Sequence, residues 1–283
     1  MTAPSRLNPQ PNPMSTLLRS FAFLVLAVGA VAALGNALAA TPGAALPTVL
    51  FFANPMTSDN DVIRRPASGE LSVAERHFAA LCRGVFDVTI TQDGTEVVKE
   101  KLSRYRAIVF FTAINPPGVD RDALIAWVAG GGAFVGIHST ANTFQGHAEF
   151  GRMLGANYDR RPWRTAQAPQ TKVIIKVNDA THPATRHLAA TFPFADDIYQ
   201  FKNFDRPQVQ LLLSLDPAGL DLANPKVNPA DRVFPVSWAK PHGEGRVFYT
   251  ALGDWEETWS DPRYRTHLTQ GILWAMKLAD AKP

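Results

Sequence analysis

The sequence predicts a doubly wound α/β fold with a mostly parallel sheet, and three observations lead to it. Short, almost wholly apolar runs stand at residues 48–53, 106–111 and 133–137, as in strands that are covered on both faces. Helical patterns alternate with these runs across residues 48–155, which is typical of a parallel sheet. Glycines 130–132 end the helix that precedes the last run.

Residues 1–40 have the pattern of a secretory signal. Arg19 precedes an uncharged apolar run over residues 21–34, and a small-residue site follows at residues 37–40. The run is shorter than the ~18–20 residues of a spanning helix, although an uncleaved anchor is the alternative. We therefore expect cleavage near residue 39 or 40, a periplasmic or secreted protein, and no stable membrane insertion after cleavage.

The mature chain is predicted to have a linker at residues 41–47 and one domain over residues 48–283, and Met14 is an alternative start. The leader holds two arginines and no acidic residue, so the mature chain is close to neutral. Its charge gives no case for nucleic acid or an anionic membrane as a partner. Cys82 is the only cysteine, which excludes an internal disulfide and a cysteine zinc cluster.

The other elements follow from their local patterns. Ser72 and Glu75 have the spacing of a capping box at the start of a helix over residues 71–83, in which Cys82 is expected to be a buried apolar residue. Residues 233–239 and 247–250 predict an antiparallel hairpin, because a short polar segment separates two strand-like runs. Further strands are predicted at 86–90, 172–177 and 209–215, and helices at 120–129 and 262–278.

His138 is the first candidate for chemistry, because it ends the strand 133–137. Crevices at the carboxyl ends of parallel strands are where open α/β sheets bind ligands. The imidazole is a candidate general acid/base or metal ligand, and the alternative is a structural histidine. Ser139 and Thr140 are candidates for binding a substrate hydroxyl, although they fit equally well as caps of the next helix.

Two acidic segments supply further candidates, and the one that follows the strand 247–250 is expected at the same sheet edge as His138. Alternation along an extended backbone places Asp197 and Tyr199 on one side, where a carboxylate and a phenol suit a sugar hydroxyl or proton transfer. Asp254 follows the strand 247–250, so it is the third candidate catalytic residue, beside His138 and Asp197. Trp255, Glu256 and Trp259 predict a sugar-binding pocket wall, or else tryptophans packed against the closing helix.

A cofactor is not evident from the sequence. His138, His182, Asp197 and Asp254 are candidate ligands of a divalent metal, although none has a ligand spacing such as His-x-x-x-His. The glycines at 130–132 precede a strand instead of opening a helix, which is the wrong context for a nucleotide-binding loop.

The chain resembles the ThuA-like (trehalose utilisation) proteins, which share the class I glutamine amidotransferase-like, flavodoxin-like fold. The matching runs are residues 131–139, 150–156, 182–185, 196–201, 235–238, 245–253 and 261–264. His138 stands where an amidotransferase has its cysteine nucleophile, so glutamine hydrolysis by that route is excluded. Asp254 stands where the family often has histidine, and Asp197 where it often has glutamate.

The resemblance implies carbohydrate utilisation, with a trehalose-like disaccharide or its 3-keto derivative as substrate. A hydrolase, lyase or isomerase would use His138 with Asp197 or Asp254 as acid and base. An oxidation step would need a separate NAD- or flavin-binding sugar oxidoreductase as partner, because no cofactor fingerprint is present here. A non-catalytic carbohydrate-binding protein and a metal-dependent hydrolase are the alternatives.

Overall fold

The computed structural model describes residues 45–55, 61–112, 114–231 and 233–280. The predicted leader lies outside these residues. The described chain from Leu46 onward belongs to one compact unit. Among the helices that the structure describes, none combines the length and the apolar character that crossing a bilayer requires.

Eleven strands and six α-helices make up the described chain. The strands are β1 (Thr48–Asn54), β2 (Asp87–Thr91), β3 (Ala107–Thr112), β4 (Ala133–Ile137), β5 (Asn157–Arg160), β6 (Thr171–Val177), β7 (Thr191–Asp196), β8 (Gln200–Lys202), β9 (Gln210–Leu215), β10 (Pro235–His242) and β11 (Gly245–Thr250). The helices are α1 (Val73–Cys82), α2 (Lys99–Leu102), α3 (Arg121–Ala129), α4 (Ala148–Leu154), α5 (Glu256–Ser260) and α6 (Pro262–Ala275).

The main sheet runs in the order β2-β1-β3-β4-β11-β10-β9-β6-β7. Strands β2, β1, β3, β4 and β11 are parallel, and the predicted hairpin of β10 and β11 is antiparallel. The predicted doubly wound fold is therefore confirmed. The antiparallel part is larger than one hairpin, because β9, β6 and β7 extend it, and β5 pairs with β8 in a small second sheet.

Strand β7 was not predicted from the sequence, and Pro193 is the reason. Proline cannot donate to a strand ladder, so it argues against a central strand. In the structure β7 is the last strand of the sheet and pairs only with β6. Phe192 and Phe194 are buried on one face of it. An edge strand accommodates proline without losing a hydrogen bond.

The helices predicted near residues 71–83, 120–129 and 262–278 are present as α1, α3 and α6, and α6 ends earlier, at Ala275. Ser72 and Glu75 form the capping box of α1, and Cys82 is buried at its end, where burial raises the pKa of the thiol to about 12. Phe78 of α1 stacks on Phe51 of β1 with ring centroids 4.2 Å apart. Helix α6 packs on β4 and β11, the two strands that carry the candidate site.

Candidate active site

The topology brings His138 and Asp254 to one place. Strands β4 and β11 are parallel neighbours with Ile137 opposite Thr250, so their carboxyl ends meet at one edge of the sheet. His138 directly follows β4, and Asp254 lies on the turn after β11. This edge is the crevice that the fold class predicts for a ligand.

His138 has a strained backbone and a fixed ring. Its φ angle of 42° is in the left-handed region, which costs energy for any residue except glycine and recurs at functional sites. The Tyr249 hydroxyl donates to the His138 carbonyl at 2.7 Å. The His138 Nδ1 atom lies 2.6 Å from the Ala251 carbonyl oxygen. A carbonyl only accepts hydrogen bonds, so Nδ1 carries a proton, and in the neutral tautomer Nε2 is the ring atom that can accept one.

Two carboxylates face the His138 Nε2 atom. Oδ1 of Asp254 lies 3.4 Å from it and Oδ2 of Asp197 lies 3.9 Å from it. All three side chains are buried, and burial raises the pKa of the Asp254 carboxyl. We call His138, Asp197 and Asp254 the His138 trio. An imidazole and two carboxyl groups at this separation can accept, hold and return a proton.

Asp196 fixes the turn that carries Asp254. Its buried carboxylate accepts hydrogen bonds from the Gly253 amide at 2.8 Å, the Asp254 amide at 3.2 Å and the Thr258 hydroxyl at 2.9 Å. Burial raises the pKa of Asp196 to about 6. Gly253 has a φ angle of 127°, and a Cβ there would lie 2.8 Å from the Tyr264 hydroxyl oxygen. The turn therefore needs both glycine and the carboxylate beneath it.

Two arginines that the sequence analysis did not single out contact the trio. Arg161 Nη1 lies 3.1 Å from Asp197 Oδ2, and Arg164 Nη1 lies 2.8 Å from the same oxygen and 3.4 Å from Asp254 Oδ2. Both come from the segment between β5 and β6. The sequence shows basic residues at 160, 161 and 164, but nothing in it places their side chains beside Asp197. In the structure they supply the cationic partner that a buried carboxylate needs.

Aromatic rings line the other side of His138. The Tyr199 ring centroid lies 4.1 Å from that of His138, and Tyr158 of β5 packs edge-on against Tyr199 at 4.7 Å. Burial raises the pKa of the Tyr199 phenol well above its usual value, so the hydroxyl keeps its proton. The alternation of the segment 196–199 is thus observed: Tyr199 and Asp197 contact His138, and Asp196 points to the Gly253 turn.

Three buried polar atoms at or beside the trio have no hydrogen-bond partner among the described residues. They are the Ser139 hydroxyl oxygen, Oδ1 of Asp197 and the indole nitrogen of Trp255. Such orphaned atoms are uncommon in folded proteins, and each asks for a ligand or water partner. Each is available to a water molecule or a ligand.

The structure corrects the expectation for Thr140. Its hydroxyl donates to the Phe110 carbonyl at 2.7 Å and accepts from the Ile137 amide at 3.3 Å, so it links the ends of β3 and β4. A fully buried hydroxyl with both functions committed to the backbone is not available to a substrate. The capping alternative describes this residue.

Two members of the predicted pocket wall also lie elsewhere. Trp259 is 1% exposed, packs against Phe111 and Tyr264, and donates from its indole to the Gly253 carbonyl at 2.9 Å. It therefore belongs to the core. Glu256 is exposed, and its carboxylate lies 3.9 Å from His77 of α1. None of its described contacts is with the His138 trio.

The geometry narrows the candidate metal ligands to the trio. One ligand atom from each of His138, Asp197 and Asp254 can be chosen so that all three lie within 4.8 Å of one another. His182 is not in this group. It is buried against Trp274, and burial lowers the pKa of its imidazole to about 4.

The chain is similar to one protein family and to several solved structures. Residues 67–275 match the family model described as ThuA, trehalose utilisation. A ThuA-like protein from Bacteroides uniformis is 25% identical and superposes with a TM-score of 0.67, covering 84% of this chain and 95% of that one. A ThuA-like protein from Parabacteroides merdae is 17% identical, with a TM-score of 0.60 and coverage of 85% and 93%.

A β-galactosidase from Rahnella sp. R3 shares the fold alone, at 13% identity and a TM-score of 0.51 over 83% of this chain and 32% of that one. No protein in the comparison with curated sequences matches the chain.

Proposed function

We propose, from the premise that the chain belongs to the ThuA (trehalose utilisation) family, that it carries out acid/base chemistry on a sugar. Family membership supports a role related to trehalose utilisation. The proposed substrate is a trehalose-like disaccharide or its 3-keto derivative, and the reaction is a hydrolysis, elimination or isomerisation. Each of these reactions requires proton transfer at a carbon or oxygen atom of the sugar.

The observation that carries this proposal is His138 Nε2 facing two carboxyl groups. The bond from Nδ1 to the Ala251 carbonyl leaves Nε2 unprotonated in the neutral ring, so it is the general base. Asp254, with its raised pKa and 3.4 Å separation, is the group that exchanges a proton with Nε2. Asp197 is held next to two guanidinium groups and is the electrostatic partner of the imidazole.

The orphaned atoms supply the binding part of the proposal. Ser139 and Trp255 donate to sugar oxygens, and Asp197 Oδ1 accepts from a hydroxyl. The Tyr199 ring lies beside the reacting imidazole, and its hydroxyl keeps its proton, so it is a hydrogen-bonding group at the site. We further propose that the leader exports the protein to the periplasm or beyond, and that a separate sugar oxidoreductase acts with it wherever a keto sugar is made.

The test is a thermal-shift screen of the protein without residues 1–40 against disaccharides, 3-keto sugars and divalent metals, with product analysis of every hit. A ligand at 100 times its Kd adds about 2.7 kcal/mol to the free energy of unfolding, which raises Tm measurably. A sugar that stabilises the protein and is converted to product is the expected result. A sugar that stabilises it and stays intact would favour a carbohydrate-binding protein instead.

A second candidate, a metal-dependent hydrolase, is favoured by one observation. Oδ1 of Asp197 is buried and lacks a partner, and it belongs to a residue whose carboxylate shares a site with His138 and Asp254. One imidazole and two carboxylates suit a divalent transition metal, which would polarise a bound water or sugar oxygen. This candidate predicts stoichiometric metal in the purified protein, lost in a His138→Ala variant and kept in His242→Ala.

A further inference from the structure

We propose that Arg161 and Arg164 cover the His138 trio in the free protein and bind oxygen atoms of the sugar when it enters. This inference rests on the proposed function for the identity of the ligand, while the covering itself stands on geometry alone. We call the two residues the arginine pair. They would be specificity-determining residues: they act on the substrate and on the carboxylates, without taking part in proton transfer.

The contacts of the pair are concentrated on the carboxylates. Both guanidinium groups reach Oδ2 of Asp197, and Arg164 also reaches Oδ2 of Asp254. Arg164 thus bridges the two carboxyl groups that face His138. A sugar that approaches these carboxyl groups has to share or replace the same contacts.

Burial shows which groups are outermost. The side chains of His138, Asp197 and Asp254 are 1%, 0% and 7% exposed, whereas those of Arg161 and Arg164 are 35% and 23% exposed. Each arginine side chain therefore extends from the surface to a centre that solvent does not reach. In the proposed arrangement, a solute reaches His138 Nε2 when these side chains move.

The segment that carries the pair is anchored, so the movement required is one of side chains. The Trp163 indole donates to the Asp221 carbonyl at 3.0 Å, and the Asn224 amide donates to the Pro162 carbonyl at 2.9 Å. Pro162 and Trp163 stand between Arg161 and Arg164, so these bonds hold the segment that connects the pair. Long arginine side chains change rotamer without disturbing such a backbone.

The negative charge of Asp197 links movement of the arginine pair to ligand binding. If the arginines left without replacement, Asp197 would be a buried carboxylate without its cations, which is strongly unfavourable. A sugar hydroxyl can donate to the carboxylate while another of its oxygens accepts from a guanidinium. A polyhydroxylated ligand therefore compensates both partners, and an apolar solute compensates neither.

The test measures access to His138 directly, by the rate at which diethylpyrocarbonate carbethoxylates each histidine, read by peptide mass spectrometry. The variants are Arg161→Ala, Arg164→Ala, the double variant, and Arg164→Lys, which keeps the charge. Arg160→Ala is the matched control, because Arg160 is a neighbour that pairs with Asp159 and not with the trio. His77, His147 and His242 report in the same samples whether the fold is intact.

We expect His138 to react at least about tenfold faster in the double variant than in the wild type, as for a closed state that is populated about 90% or more. The Arg160→Ala protein and the reference histidines should react as in the wild type. Equal His138 rates in the wild type and the double variant, with unchanged reference histidines, would overturn the proposal. If the double variant unfolds, the single variants and Arg164→Lys decide in the same way.

Turnover measurements test whether the arginine pair binds the sugar, separately from whether it covers His138. With a sugar that the wild type converts, Arg164→Ala should raise KM about tenfold or more, and added guanidinium ion should lower it again. An unchanged KM would contradict sugar binding by the arginine pair. If no sugar is converted at all, the proposed function fails, and the carbethoxylation rates still decide whether the pair covers His138.

Discussion

The Nε2 atom of His138 lies 3.4 Å from Oδ1 of Asp254, although the two residues follow different strands of the sheet. The parallel pairing of β4 and β11 accounts for this contact, since Ile137 and Thr250 are register partners. The same pairing places the Ala251 carbonyl under Nδ1 of His138, which fixes the ring. The site is thus a product of two strand ends and the turn that Asp196 holds.

Ser139 and Thr140 are adjacent hydroxyl residues for which we predict opposite effects. Thr140→Val removes two backbone hydrogen bonds inside the protein and should lower the free energy of unfolding by about 1–3 kcal/mol. Ser139→Ala removes a hydroxyl without a partner and should leave stability almost unchanged, while ligand affinity falls. Urea unfolding and ligand titration of the two variants test this pair. Equal stability losses would contradict it.

Alanine substitutions of Trp259 and Trp255 should also differ in their effect on stability. Trp259→Ala opens a cavity between Phe111 and Tyr264 and should cost about 3–5 kcal/mol of unfolding free energy. Trp255→Ala should cost much less, because the ring is partly exposed and its nitrogen is unpaired. Circular dichroism during urea unfolding measures both. A stable Trp259→Ala protein that had lost sugar binding would contradict this account and would assign Trp259 to the sugar-binding pocket wall.

Asp196 should make stability depend on pH. Its pKa is about 6 in the folded protein and about 3.9 in an unfolded chain. The folded state therefore holds the extra proton, and stability from this group is present below pH 4 and is lost as pH rises through 6. The difference between wild type and Asp196→Asn in unfolding free energy should fall by about 2 kcal/mol between pH 4 and pH 7. A pH-independent difference would show that the carboxyl ionises normally.

The Asp196→Asn substitution should also disturb the candidate active site. Its side chain has one acceptor oxygen, so it cannot accept from Gly253, Asp254 and Thr258 as the carboxylate does. The turn that presents Asp254 to His138 should then shift, and turnover should fall while KM changes little. A larger change in KM than in kcat would assign Asp196 to ligand binding.

The position of His138 and Asp254 at one edge of the sheet could be predicted from the sequence, because each follows a predicted strand. Parallel strands bring their carboxyl ends together, which accounts for His138 after β4 and Asp254 after β11. Asp197 follows β7, an antiparallel strand at the end of the sheet, so this rule does not account for its position. The arginine pair could not be predicted, because Arg161 and Arg164 lie in an irregular segment whose path depends on where β5 and β6 pair. No local pattern records that path.

Of the two alternatives left open for Trp259, the structure shows packing against the closing helix, through Tyr264. Trp255 and Trp259 are four residues apart, which places them on one face if both are helical. In the structure α5 begins at Glu256, and Trp255 has the extended backbone of a cap, with φ −126° and ψ 147°. The two indoles therefore do not share a face.

The central claim is that His138 is the general base of a sugar-converting site. The most direct measurement is the conversion of 3-keto-trehalose by the purified protein, by His138→Ala and by His242→Ala, each checked for an unchanged Tm. His242 ends β10 at the opposite edge of the sheet and serves as the control. The account predicts conversion by the wild type and by His242→Ala, and a rate lower by about 10²-fold or more in His138→Ala. A His138→Ala protein that converts the sugar at the wild-type rate would contradict it.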